Sequence, residues 1–332
     1  MEKVRYVSFF MIVFVICSLL PFGSVLMAKE EFPAGPISLL VGLPPGGVID
    51  ITARALAEAV KTHLGQPVVV VNKPGMAGSV MLTFLKTQKP DGYNVGVVGA
   101  EAIHVNPLLE KLDYKMEDFT YVRAFGYMNH FVGVLPSSPW KTFKDLVEYA
   151  KKNPNKIKYG SWSPFSTTTF QMRLIGQREG VRWVHIPYKG SAPAITSLLG
   201  GHTEVVTCAS TIVPYAKSGQ IRILCVFNDS RSADFPSVPT VREVGYDLPS
   251  LSDMTTFLLV VGPKGLTGAP FEKLDSAFSK AFGEPSFVKV MRELSQPEVN
   301  YPQKETNRLM SEYRTKVEQI MPGLIKEIEK EK

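Results

Sequence analysis

Four stretches of the chain share one chemical device: an apolar run, a loop of small residues, then a helical pattern. They lie at 42–50, 72–79, 160–168 and 189–193. A helix start leaves several backbone N–H groups unpaired and carries partial positive charge, which suits a carboxylate or phosphate. Glycine in such a loop lets a ligand reach the backbone with no Cβ in the way. Several of these loops facing one crevice would hold a small anion mainly through main-chain donors. The nearby side chains leave more than one reading open. Asp50 suits a helix N-cap better than a ligand contact. Ser163, Ser166, Thr167 and Thr168 are either caps or hydroxyl donors. Lys73 and Lys189 stand beside turns, where lysine is ordinarily solvated. His185, before Pro187-Tyr188 at a strand end, reads as a packed or hydrogen-bonded histidine.

Motifs for catalysis are missing. Gly160-Ser161-Trp162-Ser163-Pro164 is not the Gly-x-Ser-x-Gly elbow of an α/β-hydrolase, and no phosphate-binding or dinucleotide-binding glycine motif occurs. Histidines 63, 104, 130, 185 and 202 do not fall into a metal-ligand spacing. The expectation is a binding protein without catalytic residues, cofactor or metal.

Strands alternate with helices along the chain, the pattern of a parallel α/β sheet. Ile37–Val41 reads as a buried strand, and a helix starting near Asp50 stops at Gly65. Val68–Val71 and Val95–Val98 are the next strands, with Ser79–Lys86 helical between them. Phe131–Leu135, Lys158–Ser161, Val184–Ile186, Val205–Cys208 and Ile221–Phe227 form a second set of strands. Helices are expected across Thr142–Lys151 and Pro193–Leu199. Thr256–Val261 reads as a return strand, followed by helices at Phe271–Phe282 and Lys304–Ile328. In an open parallel sheet the loops at the strands' carboxyl ends line the ligand crevice. Two lobes joined by crossing strands account for this order: 34–129 with 256–332, and 130–255, with hinges at 130–136 and 254–260.

The 332 residues are 45% hydrophobic and 20% charged, a soluble globular composition with room for two cores. The net charge is +6, but the basic residues are dispersed and the Lys326–Lys332 run alternates with glutamate, which argues against nucleic acid. Residues 1–28 have the order of a secretory signal: Lys3 and Arg5, an apolar Tyr6–Leu20, breakers Pro21 and Gly23, then Met27-Ala28. That places the protein in the periplasm or otherwise outside the cytoplasmic membrane, either cleaved after Ala28 or held by an uncleaved anchor. Cys208 and Cys225 then remain, either as buried free thiols or as a disulfide between strands.

Collinear motifs carry a family resemblance. Pro36 to Asp50 (PISLLVGLPPGGVID) with Ala53–Ala57, Leu64 to Gly75 (LGQPVVVVNKPG) and Pro90-Asp-Gly-Tyr93 come first. Asn106-Pro107-Leu108, Asn153-Pro154, Tyr159-Gly160-Ser161 and His185-Ile-Pro-Tyr-Lys-Gly190 with Ala192-Pro193 follow. Gly200-Gly201, Ser230-Arg231-Ser232 and Val238-Pro239-Thr240 with Glu243-Val-Gly245 complete the series. The chain resembles the Bug-type (TctC-like) extracytoplasmic solute receptors of tripartite tricarboxylate transporters. The resemblance implies a two-lobed α/β fold of the type II periplasmic-binding-protein class, with a hinge and a ligand cleft between the lobes. It implies capture of a small organic acid, membrane transporter subunits as partners, and a monomer. A sensor passing the same signal to a membrane partner is the alternative. By position, the first-lobe contacts would be Leu43, Pro45, Gly46, Gly47, Val48, Ala77 and Gly78. Those of the second lobe would be Ser161, Trp162, Ser163, Ser166, Gly190, Ser191 and Ala192.

The chain departs from the family pattern where ligands are chosen. Leu43 stands where an aromatic is usual, Trp162-Ser163-Pro164-Phe165 replaces small residues, Thr169 stands for histidine and Glu204 for aspartate. Trp162 and Phe165 either wall the crevice or fill the lobe interior.

Overall fold

A computed structural model describes residues 31–228, 230–246 and 256–330. The expected signal segment, 1–28, lies outside them. The first part of the chain runs β1 (Ile37–Val41), α1 (Val48–Leu64), β2 (Val68–Asn72), α2 (Ser79–Leu85), β3 (Asn94–Gly99), α3 (Ala100–His104), α4 (Asn106–Leu109) and β4 (Phe119–Tyr127). The middle holds β5 (Phe131–Val134), α5 (Phe143–Lys152), β6 (Lys158–Ser161), α6 (Thr167–Glu179), β7 (Val184–Pro187), α7 (Ser191–Leu199), β8 (Val205–Cys208), α8 (Val213–Lys217) and β9 (Arg222–Val226). The last part is β10 (Phe257–Pro263), α9 (Gly268–Ala281), α10 (Pro285–Glu293), β11 (Glu298–Tyr301) and α11 (Gln303–Lys330).

The strands form two sheets, ordered β11-β4-β10-β3-β1-β2 and β7-β6-β8-β5-β9. The second repeats the logic of the first. Each has three parallel strands with the earliest in the middle, then one antiparallel strand that has just arrived from the other sheet. In the first sheet that strand is β10; in the second it is β5. The strand order reverses beside β1 and beside β6, which is where an open α/β sheet leaves its crevice.

Side-chain alternation explains why both sheets bury both faces. Leu39 and Val41 face α1, α9 and α10 through Leu56, Val60, Phe278 and Phe287, while Leu40 faces Met81, Met310 and Val317 on the other side. In the second sheet Val132 packs with Phe143 and Leu146, and Phe131 with Ala194 and Leu198. Each such fully buried side chain contributes about 1.5–3 kcal/mol from burial.

The passage from the first sheet to the second is Met128–His130, not 130–136: β5 pairs along its length with β8 and β9. Likewise β10 lies inside the first sheet from Phe257 onward, while residues 254 and 255 of the expected return hinge fall outside the described residues. The two passages are tied to each other. Asn228 accepts the His130 N–H (2.9 Å) and donates to the Met128 carbonyl (3.0 Å). Met128 N–H in turn donates to the Thr256 carbonyl at 2.9 Å.

The disulfide reading is overturned. Cys208 pairs with Phe131 and Cys225 with Val132, so they flank β5 on opposite sides. Two strand spacings of ~4.8 Å put them ~9.6 Å apart, beyond the ~7 Å limit for a bridge. Both thiols are free and buried.

Candidate ligand-binding cleft

The loops that leave β1, β2, β3, β6, β7 and β8 meet around one cavity of about 780 Å³. The residue types explain its shape. Leu43-Pro44-Pro45-Gly46-Gly47 carries the chain from β1 to α1, and the helix begins at Val48 with Gly47 as N-cap and no side-chain cap. Asp50 is therefore not the N-cap expected from the sequence. It sits in the first turn, and its carboxylate accepts the Gly46 N–H at 2.9 Å. Arg54 (2.9 and 3.0 Å) and the Asn72 amide (2.8 Å) bind the same carboxylate. Asn72 also donates to the Leu43 carbonyl at 3.0 Å. Burial alone would raise the Asp50 pKa, but hydrogen bonds from Arg54, Gly46 and Asn72 outweigh it and hold the group below its usual value. The β1 and β2 loops are thus locked as a pair.

The second first-lobe loop is held by Asn106, whose amide donates to the Met76 and Ala77 carbonyls (3.3 and 3.2 Å) and to Ser79 Oγ (3.0 Å). Met76 and Ala77 have φ of 46° and 50°, a conformation that non-glycine residues adopt only under constraint. Gly42 touches the same loop: a Cβ there would lie 2.6 Å from Gly78 Cα. Only glycine fits.

In the second lobe neutral groups do the bracing. Ser161 Oγ donates to the Ser163 carbonyl (2.8 Å) and contacts His185 Nε2 (2.7 Å), while Thr169 Oγ1 donates to Ser161 Oγ (3.0 Å). His185 stacks on Tyr159 with ring centroids 4.7 Å apart. Burial, with a smaller contribution from Arg173, lowers its pKa to about 4, so the ring is neutral. Ser166 caps α6 through the Thr169 N–H at 3.2 Å. By contrast α7 starts at Gly190 without a side-chain cap, and so does α1 at Gly47. Neither helix spends a side chain on its first N–H groups, and both starts border the cavity.

Of the residues expected from the sequence, Leu43, Pro45, Gly46, Gly47, Val48 and Ala77 lie on the cavity wall, as do Trp162, Ser163, Gly190, Ser191 and Ala192. Gly78 lines a recess of about 10 Å³ in the floor, with Gly42, Gly99, Glu101 and Trp162. Ser161 and Ser166 are not on the wall: both are fully buried, spent on His185 and on the α6 cap. Glu204 accepts the Lys158 N–H at 2.8 Å and serves strand pairing. Lys73 lies 4.0 Å over the Phe84 ring, away from the wall, whereas Lys189 is on it. Trp162 answers both expectations: its ring packs into the second-lobe core and it also lines both cavities. Phe165 walls the cavity too, and packs against the first-lobe core.

The third strand of each lobe was overlooked. Beyond β3 come Glu101 and Asn106, and beyond β8 come Ala209 and Thr211, all on the wall. The crevice rule used for the other loops applied to these strands equally. Buried polar atoms lacking a hydrogen-bond partner in the protein gather here: Glu101 Oε2, Asn106 Oδ1, Trp162 Nε1 and Thr211 Oγ1. Such atoms ordinarily find a partner, and a mostly apolar cleft with a few converging polar groups is the usual form of a small-molecule site. Among the described residues no cluster of three or more His, Cys, Asp or Glu side chains could hold a metal, and no helix is long and apolar enough to cross a membrane.

Two like-ordered lobes, a doubled crossing and a cleft at both switch points define a periplasmic-binding-protein fold of type II. Residues 52–328 match the tripartite tricarboxylate transporter family receptor model, TctC. The chain is 36% identical over 259 residues to the UPF0065 protein in the gbd 5'region of Cupriavidus necator, covering 78% of each. It is 32% identical to protein BugT of Bordetella pertussis, covering 72% of this chain and 74% of BugT. Among solved structures, one described as a periplasmic transporter superposes with a TM-score of 0.81 at 28% identity, covering 88% of this chain and 98% of that one. The periplasmic binding protein BugD gives 0.73 at 25%, covering 90% and 98%. The chain belongs to the TctC family of periplasmic solute receptors.

Proposed function

We propose that this receptor captures a small organic acid outside the cytoplasmic membrane and presents it to the membrane subunits of a tripartite tricarboxylate transporter. The observation that carries the ligand class is the wall itself. The uncapped starts of α1 and α7 border one cavity, Lys189 is the basic side chain on its wall, and unpaired buried polar atoms converge there. An anion can be met by main-chain donors from both lobes at once, which favours the closed arrangement of the lobes. Trp162 and Phe165 supply apolar surface for the carbon skeleton. The family description supports the transporter as partner. The order of residues 1–28 supports export, and the site residues act by binding alone, without catalysis.

A thermal-shift screen against adipate, malate, glutamate and benzoate tests this reading. Binding to the native state raises the melting temperature by mass action. At a concentration ~100 times Kd a ligand adds about 2.7 kcal/mol, a shift of several degrees. A response to neutral sugars with none to acids would overturn the carboxylate assignment.

A further inference from the structure

We propose that Glu101 contacts the ligand and sets its selection, its un-ionised carboxyl donating a hydrogen bond to the captured anion so that anion and proton are held together. This rests on the carboxylate reading above. Glu101 is 4% exposed and lines both the main cavity and the recess in its floor. The absence of a side chain at Gly99 makes room for the carboxyl, since a Cβ there would lie 2.5 Å from both of its oxygens. One side of the group is satisfied by its own backbone N–H and by Thr256, leaving Oε2 without a partner. Thr256 also meets Thr167 at the start of α6 (3.1 Å), which ties this corner to the second lobe.

The basic side chain on the cavity wall, Lys189, comes from the facing loop before α7 and forms no ion pair with Glu101, whose partners are its own N–H and Thr256. From α11 comes Tyr313, whose ionisation is opposed first by burial and then by Glu101. On α3 itself His104 is buried and its pKa is lowered to about 3, chiefly by burial. The strands β3 and β10 and helix α2 carry no titratable side chain, and α4 ends at the exposed Glu110. No salt bridge joins Glu101 to a basic side chain among the described residues. Two carboxylates cannot both ionise at close range without a cation between them, so the one in the low-dielectric position takes the proton. That one is Glu101: burial raises its pKa to about 7, while a ligand acid in water titrates near 4–5. Capture of an anion then takes up one proton whenever free Glu101 is ionised. The recess at the floor has room for about one oxygen-sized group beside it.

The test is calorimetric titration of the protein with adipate, malate, glutamate and benzoate at about pH 6 and about pH 8.5. For the acid that binds, Kd weakens about 30-fold at the higher pH, one power of ten per unit above about 7. Repeating the titration in buffers of different ionisation enthalpy finds about one proton taken up at about pH 8.5 and almost none at about pH 6. Glu101→Gln, a permanent donor, removes the pH dependence, and Glu101→Ala weakens binding about tenfold at about pH 6. If an acid binds equally at both pH values with no proton uptake, the Glu101 assignment is wrong and the receptor reading stands. If none of the acids binds at either pH, the carboxylate reading fails and takes this inference with it. Should Glu101→Gln not fold, the proton count on the wild type decides.

Discussion

The two walls of the cleft are built from the same topology with opposite chemistry. The first-lobe wall is braced by charge: Asp50 gathers Arg54, Asn72 and the Gly46 N–H, and a second, buried carboxyl at Glu101 stands unpaired in the floor. The second-lobe wall is braced by Ser161, Ser166, Thr168, Thr169 and a neutral His185. Both solutions hold small-residue loops still and leave the starts of α1 and α7 without a side-chain cap. The difference lies in what a change of pH reaches. Hydroxyls and a histidine already neutral do not titrate near neutrality, so any pH response of the cleft belongs to the first lobe.

The largest effect expected from that contrast is on stability. Glu101 holds its proton in the folded protein up to about pH 7, against 4.5 for an unperturbed glutamate. Between these values the native state binds more protons than the unfolded state, so stability falls as pH rises from about 4.5 to about 7. The loss is roughly 3 kcal/mol at 1.36 kcal/mol per unit. Urea denaturation across that range should show this fall in the wild type relative to Glu101→Gln. Parallel curves for the two proteins would place the pH response elsewhere and break the contrast. The next effect is the brace itself. Asp50→Ala frees Arg54 and Asn72 and unhooks Gly46, and should cost about 2 kcal/mol, less than a fully buried pair because Arg54 is half exposed. Binding should fall with it, since the α1 N–H groups lose their fixed direction.

Most of the frame was legible from the apolar runs and their spacing, because strands such as Val205–Cys208 are buried on both faces and read as continuous hydrophobic segments. β4 was not, and the reason is Arg123. A charge in the middle of a strand reads as a break, yet its guanidinium is paired with Asp275 (2.6 Å) and Asn300 (2.6 Å), 152 and 177 residues away. Nothing local announces such partners. Glu101 was missed for the same reason in reverse: a lone acid in an apolar stretch carries no spacing signal, and only the fold brings it beside Trp162. The glycine loops were legible because their chemistry is local. Ser166 takes the cap role that its position before the helix allowed, and Ser161, a contact implied by the family resemblance, is consumed within a buried hydroxyl cluster and by His185.

The smallest effect sharpens the second-lobe side of the contrast. His185→Phe keeps an aromatic ring over Tyr159 but removes the nitrogen that meets Ser161 Oγ at 2.7 Å. Ser161 retains its bond to the Ser163 carbonyl and its contact with Thr169, so the expected cost is about 1 kcal/mol in urea denaturation. Because the folded ring stays neutral down to about pH 4 while an unfolded histidine takes up a proton below about 6.5, the wild type should lose stability relative to the variant as pH falls through that range, and the difference between the two proteins should stay constant from about pH 7.5 to 9. In that window a charged His185 would have to be losing a proton for the difference to change. A difference that varies with pH there would show the second wall to be as electrostatic as the first, and the division of labour between the lobes would fall.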